Sequence, residues 1–193
     1  MTELQKIERV KILCDPALDV KIRKDIVNNL SGAVFSHQGK YLWLGTDELV
    51  AIERFTRLEN SPGLFGEHQR FYLKNSIDGF DEQQGEVDVE GLDYSDGYLW
   101  VIGSHSSKRK KVEIEADKFK IEGKELKKVV RQENRYLLAR IPINEAGELD
   151  NKSAQRGWLS RDGSSNSLTK PLATDEYLDF AQTIERNDRS SLP

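Results

Sequence analysis

The run from Leu30 to Glu48, LSGAVFSHQGKYLWLGTDE, recurs from Glu90 to Ser106 as EGLDYSDGYLWVIGSHS. Each copy reads small or polar residue, Gly, a pair of residues (Ala33-Val34, then Leu92-Asp93), aromatic, Ser, a glycine turn, Tyr-Leu-Trp, apolar, Gly. The spacing is about 55 to 60 residues, longer than solenoid units, and short strands marked by aromatic and glycine residues at such a period point to propeller blades. Few folds accept a chain built this way.

The second copy carries the clearest local signal. Val87, Val89 and Leu92 alternate with Asp88 and Glu90, and Tyr98-Leu99-Trp100-Val101-Ile102 follows Ser95-Asp96-Gly97. Asp-Gly between two β-rich runs predicts a hairpin, because both turn residues tolerate positive φ. Tyr98 to Ile102 is apolar on both faces, which predicts a strand buried between layers. In the first copy, strands are expected at Ser31 to Phe35, Tyr41 to Thr46, Val50 to Arg57 and Glu67 to Leu73, a complete four-stranded antiparallel blade. The second blade continues with Arg135 to Ile143 and a weak fourth strand at Trp158-Leu159-Ser160.

Around the blades the pattern is looser. Lys6 to Leu13 predicts a strand ended by Asp15-Pro16, and Ala17 to Asn29 fits either a short helix or an irregular connector. From Leu168 to Asn187, Leu172, Tyr177, Leu178, Ala181 and Ile184 predict a helix capped by Thr174 or Asp175. The expected organisation is a mainly β chain: a partial propeller of two four-stranded blades over residues 1–165, with a basic insert at 107–134, then a C-terminal helix and tail over 166–193.

The charge is unevenly placed. Residues 107–135 hold eleven Lys/Arg against six Asp/Glu, a local +5 within a total of −4, so the rest of the chain carries −9. An acidic body with one basic insert argues against a general nucleic-acid binder. No apolar run approaches the ~18 residues that span a bilayer, and MTELQKIERV lacks a leader's apolar core, so a cytoplasmic, non-membrane protein is expected. Cys14, the one cysteine, has no pairing partner and reads as a small buried hydrophobe near the first strand.

Ser31-Gly32, Gly45-Thr46-Asp47-Glu48 leading to Ala51-Ile52-Glu53-Arg54, Val87-Asp88-Val89-Glu90-Gly91-Leu92, Gly103-Ser104-His105-Ser106 before Lys108-Arg109, and Asn134-Arg135-Tyr136-Leu137-Leu138-Ala139-Arg140 together resemble the bacterial family catalogued as domain of unknown function 3616. The resemblance runs from about Leu30 to Ile143. It implies a β-propeller fold, similar in look to esterase-like phytases and gluconolactonases, and no established activity. Members are usually longer. Two blades do not close a ring, and repeat stacks need about three units, so a homo-oligomer or a second chain covering the open sheet edges is expected.

Candidate chemistry follows from both lines. Glu90, in its Glu-Gly-Leu setting, is similar to the metal-binding glutamate of gluconolactonase-type propellers, and Asp88 is a second possible oxygen ligand for Ca²⁺ or Mg²⁺. Both carboxylates can equally cap turns or pair with arginines. His105 is the best general acid/base candidate, since its ordinary pKa suits proton transfer near neutrality, or else it fixes a turn. Adjacent Ser104 is not its nucleophile, because neighbours on a strand point to opposite faces. Lys108 and Arg109, opening the run to Lys111 with Arg131 and Arg135 near, are candidates for phosphate or anion contact, or a solvated edge that blocks strand pairing. Glu48 or Glu53 is expected to pair with Arg54 or Arg109, and His37 and His68 to lie at the surface. No GxSxG, Walker loop, GxGxxG or HExxH is present. A binding or scaffold module is the leading expectation, and a metal-dependent phosphoesterase or lactonase-like hydrolase the alternative.

Overall fold

The computed structural model describes residues 9–61, 63–109, 129–130, 132–162 and 165–175. The chain is mainly β. Strand β1 (Lys11–Ile12) is followed by helix α1 (Val20–Asn28), then by β2 (Leu30–Ser36), β3 (Tyr41–Thr46), β4 (Ala51–Arg57) and β5 (Leu64–Tyr72). β2 to β5 form one antiparallel meander, the first propeller-like blade, and β1 adds in parallel to the outer edge of β5, giving the order β1-β5-β4-β3-β2.

The second blade starts with β6 (Val89–Ser95) and β7 (Tyr98–Gly103). It is interrupted by the paired short strands β8 (Lys108–Arg109) and β9 (Val129–Val130), then resumes with β10 (Leu138–Pro142) and β11 (Gly157–Trp158) in the order β6-β7-β10-β11. A two-residue hairpin of β12 (Arg161–Asp162) and β13 (Ser165–Asn166) and the short helix α2 (Thr169–Leu172) follow. The β8–β9 pair brackets the predicted basic insert, whose residues 110–128 lie outside the described part. So do residues 1–8 and 176–193.

The hairpin turn is as the sequence demands. Ser95 pairs with Tyr98 around Asp96 (φ 51°) and Gly97 (φ 81°), a two-residue loop with both residues left-handed. The repeat extends to its irregularities, because a register shift falls between Leu30 and Gly32 in β2 and again between Val89 and Gly91 in β6. A side chain at Gly45 would place Cβ 2.6 Å from Val89 Cγ1. The two blades therefore meet where a side chain does not fit.

Two cores result. Between the blades, Tyr41, Trp43 and Ile52 pack with Val89, Leu99, Val101, Ala139 and Ile141. On the other face of blade one, Leu42, Leu44, Phe55 and Phe65 pack under Ile22 and Ile26 of α1. The helix forms where the sequence left an alternative: Asp19 Oδ1 accepts the Lys21 amide at 2.7 Å, capping the first turn.

One expectation changes here. The strand buried on both faces is β3, not β7, because α1 roofs the far side of blade one, whereas β7 buries Leu99 and Val101 and leaves Ile102 40% exposed. The C-terminal helix expected behind Thr174 or Asp175 falls on residues outside the described part; before it a short helix starts at Thr169, where Asn166 Oδ1 accepts the amides of Leu168 (3.0 Å) and Thr169 (2.8 Å). Among the described residues no helix is long and apolar enough to cross a membrane.

Candidate functional site

At the end of β7 the chain turns through His105, held at φ 51°. Its Nδ1 donates to the Gly103 carbonyl at 2.9 Å, which leaves Nε2 to accept from Asn166 Nδ2 at 2.7 Å. Both ring nitrogens are thus engaged in a neutral imidazole. Fully buried Asn166 also donates to the Tyr136 carbonyl at 2.8 Å. This pair ties the β12–β13 hairpin to blade two, and nothing in the sequence marks Asn166 for the task.

Beside it, buried Arg135 pairs with Glu86 (2.9 Å) and with Asp88, and donates to Ser106 O (2.9 Å) and Ser106 Oγ (3.0 Å). Asp88 therefore serves as a counter-ion, and Arg135 is taken up inside the fold. Glu90 sits at the β6 bulge with its side chain exposed and, among the described residues, without a partner. Lys108 and Arg109 are placed at the opening of the insert, paired across to Val130 and Val129. Among the described residues, no three His, Cys, Asp or Glu side chains converge as a metal-sized group.

A second polar cluster lies on the helix side of blade one. Glu53 is 0% exposed; Arg70 Nε reaches its Oε1 at 2.8 Å and His68 Nε2 its Oε2 at 2.7 Å. His68 Nδ1 accepts the Asp15 amide at 3.2 Å, so Nε2 bears the proton, and the ring stacks on Phe55 at 4.5 Å. This corrects two expectations. The His68 side chain is 1% exposed, not superficial, and Glu53 pairs with its cross-strand neighbours rather than with Arg54 or Arg109. Burial by itself lowers the Arg70 pKa, but the hydrogen bond and charge of Glu53 outweigh it and hold the guanidinium above its ordinary value.

Cys14 packs beside this cluster. Burial first, and the Glu53 charge second, push its thiol up. Cys14 is accordingly expected to react with a disulfide reagent at pH 8 at least about tenfold more slowly than in the urea-unfolded chain, because the thiolate is the reactive form. Equal rates in the two states would contradict this.

The third arrangement is repeated. Arg54 points to the opposite face from Glu53, into the space between the blades, where its guanidinium lies over Tyr41 (4.6 Å) and donates to the carbonyls of Ala146 (3.1 Å) and Gly147 on the neighbouring blade. Burial lowers its pKa, outweighing the opposing charges of Tyr41, Glu148 and Glu67. In the sheet register, Val34, Trp43 and Arg54 stand side by side. In blade two, Asp93, Trp100, Arg140 and Gly157 stand in the same row, and the Arg140 guanidinium lies over Tyr98 at 5.1 Å. Tyr98, Trp100 and Arg140 are the counterparts of Tyr41, Trp43 and Arg54. They face away from blade one.

That outer face carries Ile102 and Leu138 in one row, Asp93, Trp100 and Arg140 in the next, and Tyr98 and Pro142 in the third. Tyr98, Trp100, Leu138 and Pro142 are half-buried, while Asp93 and Arg140 are exposed. By contrast, the open cleft of about 860 Å³ at the turns of blade one mixes His37, Lys40 and Arg57 with Glu59 and Glu67. There Arg57 is already bonded to the Gly39 carbonyl at 2.9 Å.

Residues 29–189 match the model of the family described as protein of unknown function (DUF3616), and the chain belongs to that family. No curated protein matches the chain. It is also similar to the solved structure of a periplasmic gluconolactonase of Pseudomonas aeruginosa, at 18% identity and a TM-score of 0.29, over 69% of this chain and 39% of that one. The chain thus spans about two-fifths of that protein's length.

Proposed function

We propose that this member of the family is a protein-binding module, and that it holds its partner on the outer face of blade two. One observation carries the reading. Tyr-Leu-Trp and a stacked arginine occur twice; the first set, Tyr41, Trp43 and Arg54, is buried against a neighbouring sheet, and the second, Tyr98, Trp100 and Arg140, has none among the described residues. A sheet face with a half-buried tryptophan and tyrosine, an aliphatic pair and one arginine has the composition of an interface centre. One cation against one carboxylate gives no electrostatic footprint for nucleic acid. Blade one offers no matching face, since α1 covers it.

The alternative, metal-dependent hydrolysis of a phosphoester or lactone through Glu90, Asp88 and His105, has less support. Asp88 is committed to Arg135, and both His105 nitrogens are committed within the fold. Chelator treatment is accordingly expected to leave the melting temperature unchanged. A fall on chelation, restored by Ca²⁺ or Mg²⁺, would put the hydrolase reading first.

The binding reading is tested with Trp100→Glu, measured at low protein concentration, where mass action gives association the least weight. A docking surface predicts a folding stability within about 0.5 kcal/mol of the parent chain. A loss of about 3 kcal/mol or more, the scale of a core substitution, would mean that the chain itself buries this face, and would overturn the reading.

A further inference from the structure

We infer that the occupant of the outer face of blade two is a second copy of the same chain, related by a two-fold axis that lies between the two sheets and runs along the strands. The inference rests on the binding reading and names its partner. It starts from the order of one row across the sheet: Asp93 on β6, Trp100 on β7, Arg140 on β10. A negative charge, an aromatic ring and a positive charge follow one another at the ~4.8 Å strand spacing.

Two such faces can be laid together by a two-fold in only two simple ways. If the axis crosses the strands, β6 lies over β6 and Asp93 opposes Asp93, while Arg140 opposes Arg140. If the axis runs along the strands, β6 of one copy lies over β10 of the other. Each Asp93 then meets an Arg140, twice, and the two Trp100 rings meet at the axis. The second arrangement is self-complementary, as an isologous interface must be.

The chain itself indicates what Arg140 lacks. Its counterpart Arg54 stacks on Tyr41 and spends its donors on oxygens of the neighbouring sheet, the carbonyls of Ala146 and Gly147. Arg140 stacks on Tyr98 in the same way, and among the described residues no acceptor faces it. Asp93 of a second copy supplies that acceptor, and a guanidinium held flat on a ring is already oriented to receive it. A head-to-tail stack, blade two of one copy on blade one of the next, is blocked by Ile22 and Ile26 of α1. Assembly therefore stops at two.

Four strands of about five residues make a face of roughly 20 by 17 Å. That is smaller than the ~800 Å² per partner of a standard interface. The dimer is accordingly weak and reversible, and its population depends on concentration.

The test is native mass spectrometry and light scattering of the full chain from about 1 to 200 µM, with three charge variants. The parent passes from 22.1 kDa to twice that mass as concentration rises. Asp93→Arg opposes Arg to Arg in both pairs, and Arg140→Asp opposes Asp to Asp, so each alone dimerises at least about tenfold more weakly. Mixed one to one, the two variants regain dimerisation as a heterodimer, because every pair is then opposite in sign. The double variant Asp93→Arg/Arg140→Asp also recovers.

Dimerisation by either single variant at the parental strength, or a mixture no better than its components, would overturn the two-fold arrangement. A parent chain that stays at 22.1 kDa throughout, while Trp100→Glu remains neutral to folding, would overturn the second copy as occupant and leave a different protein partner. A large folding loss in Trp100→Glu would remove both readings together.

Discussion

Replacing Trp43 by alanine should cost about 3–5 kcal/mol of folding stability, whereas the same change at Trp100 should cost far less. The two tryptophans occupy the same place in the repeat. Trp43 is 0% exposed, packs between the blades, and donates its indole N–H to buried Ser36 Oγ at 2.9 Å. Its loss therefore removes a large apolar burial and leaves Ser36 without that donor, and the cavity lies where both blades depend on it. Trp100 is half-buried, on a face with nothing stacked over it among the described residues. Urea unfolding of the two variants decides. Equal losses would mean that the two faces are equally covered, and the asymmetry on which the functional reading stands would be gone.

A comparable effect is expected at Glu53. Its two oxygens hold Arg70 and His68 from within a face roofed by a helix, and Glu53→Ala leaves the Arg70 charge buried without a counter-charge. Removing one partner of a buried ion pair costs about 3–5 kcal/mol, while replacing the whole set by apolar residues of similar size is often neutral. Glu53→Ala should fall in that range. The triple change Glu53→Leu, His68→Leu, Arg70→Met should recover most of the loss. If Glu53→Ala costs under about 1 kcal/mol, the cluster behaves as a solvated surface pair, and its burial under the N-terminal segment is not maintained in solution.

What the sequence disclosed and what it hid divide along a physical line. Features fixed by neighbours in the chain were legible: the Asp96-Gly97 hairpin, the glycines shared by the two copies of the repeat, and the four strands of blade one. Blade two was harder, because the insert between β7 and β10 stretches the repeat. Arg54 follows Trp43 by 11 residues, but Arg140 follows Trp100 by 40, so their equivalence shows only once the register is known. Side-chain partners followed the same division. Glu53 and Arg70 become neighbours through the β4–β5 register, which shifts between Arg54 and Thr56. His105 meets Asn166 across 61 residues, with no local pattern to announce it. The helix α1 was ambiguous because its residues are mostly polar, and its place over blade one is set by Ile22 and Ile26 packing on an apolar face, a tertiary cause.

The same division explains the site residues. In the sequence His105 suits proton transfer by its type, Glu90 is similar in setting to a metal-binding glutamate, and Asp88 stands beside it. In the fold, His105 and Asp88 are held by specific partners, and Glu90 is exposed at a bulge. The residues that bear the proposed function, Trp100, Arg140 and Tyr98, read in the sequence as one more buried strand and its neighbour. Only the comparison of the two blades, one covered and one open, sets them apart.

The most direct measurement of that difference is hydroxyl-radical footprinting of the three tryptophans, read residue by residue by mass spectrometry at low and at high protein concentration. At low concentration Trp100 should be oxidised several-fold faster than Trp43. At high concentration Trp100 should become protected, while Trp43 stays unchanged. Trp100 protected as fully as Trp43 at every concentration would contradict the account, because the outer face of blade two would then belong to the core of the chain.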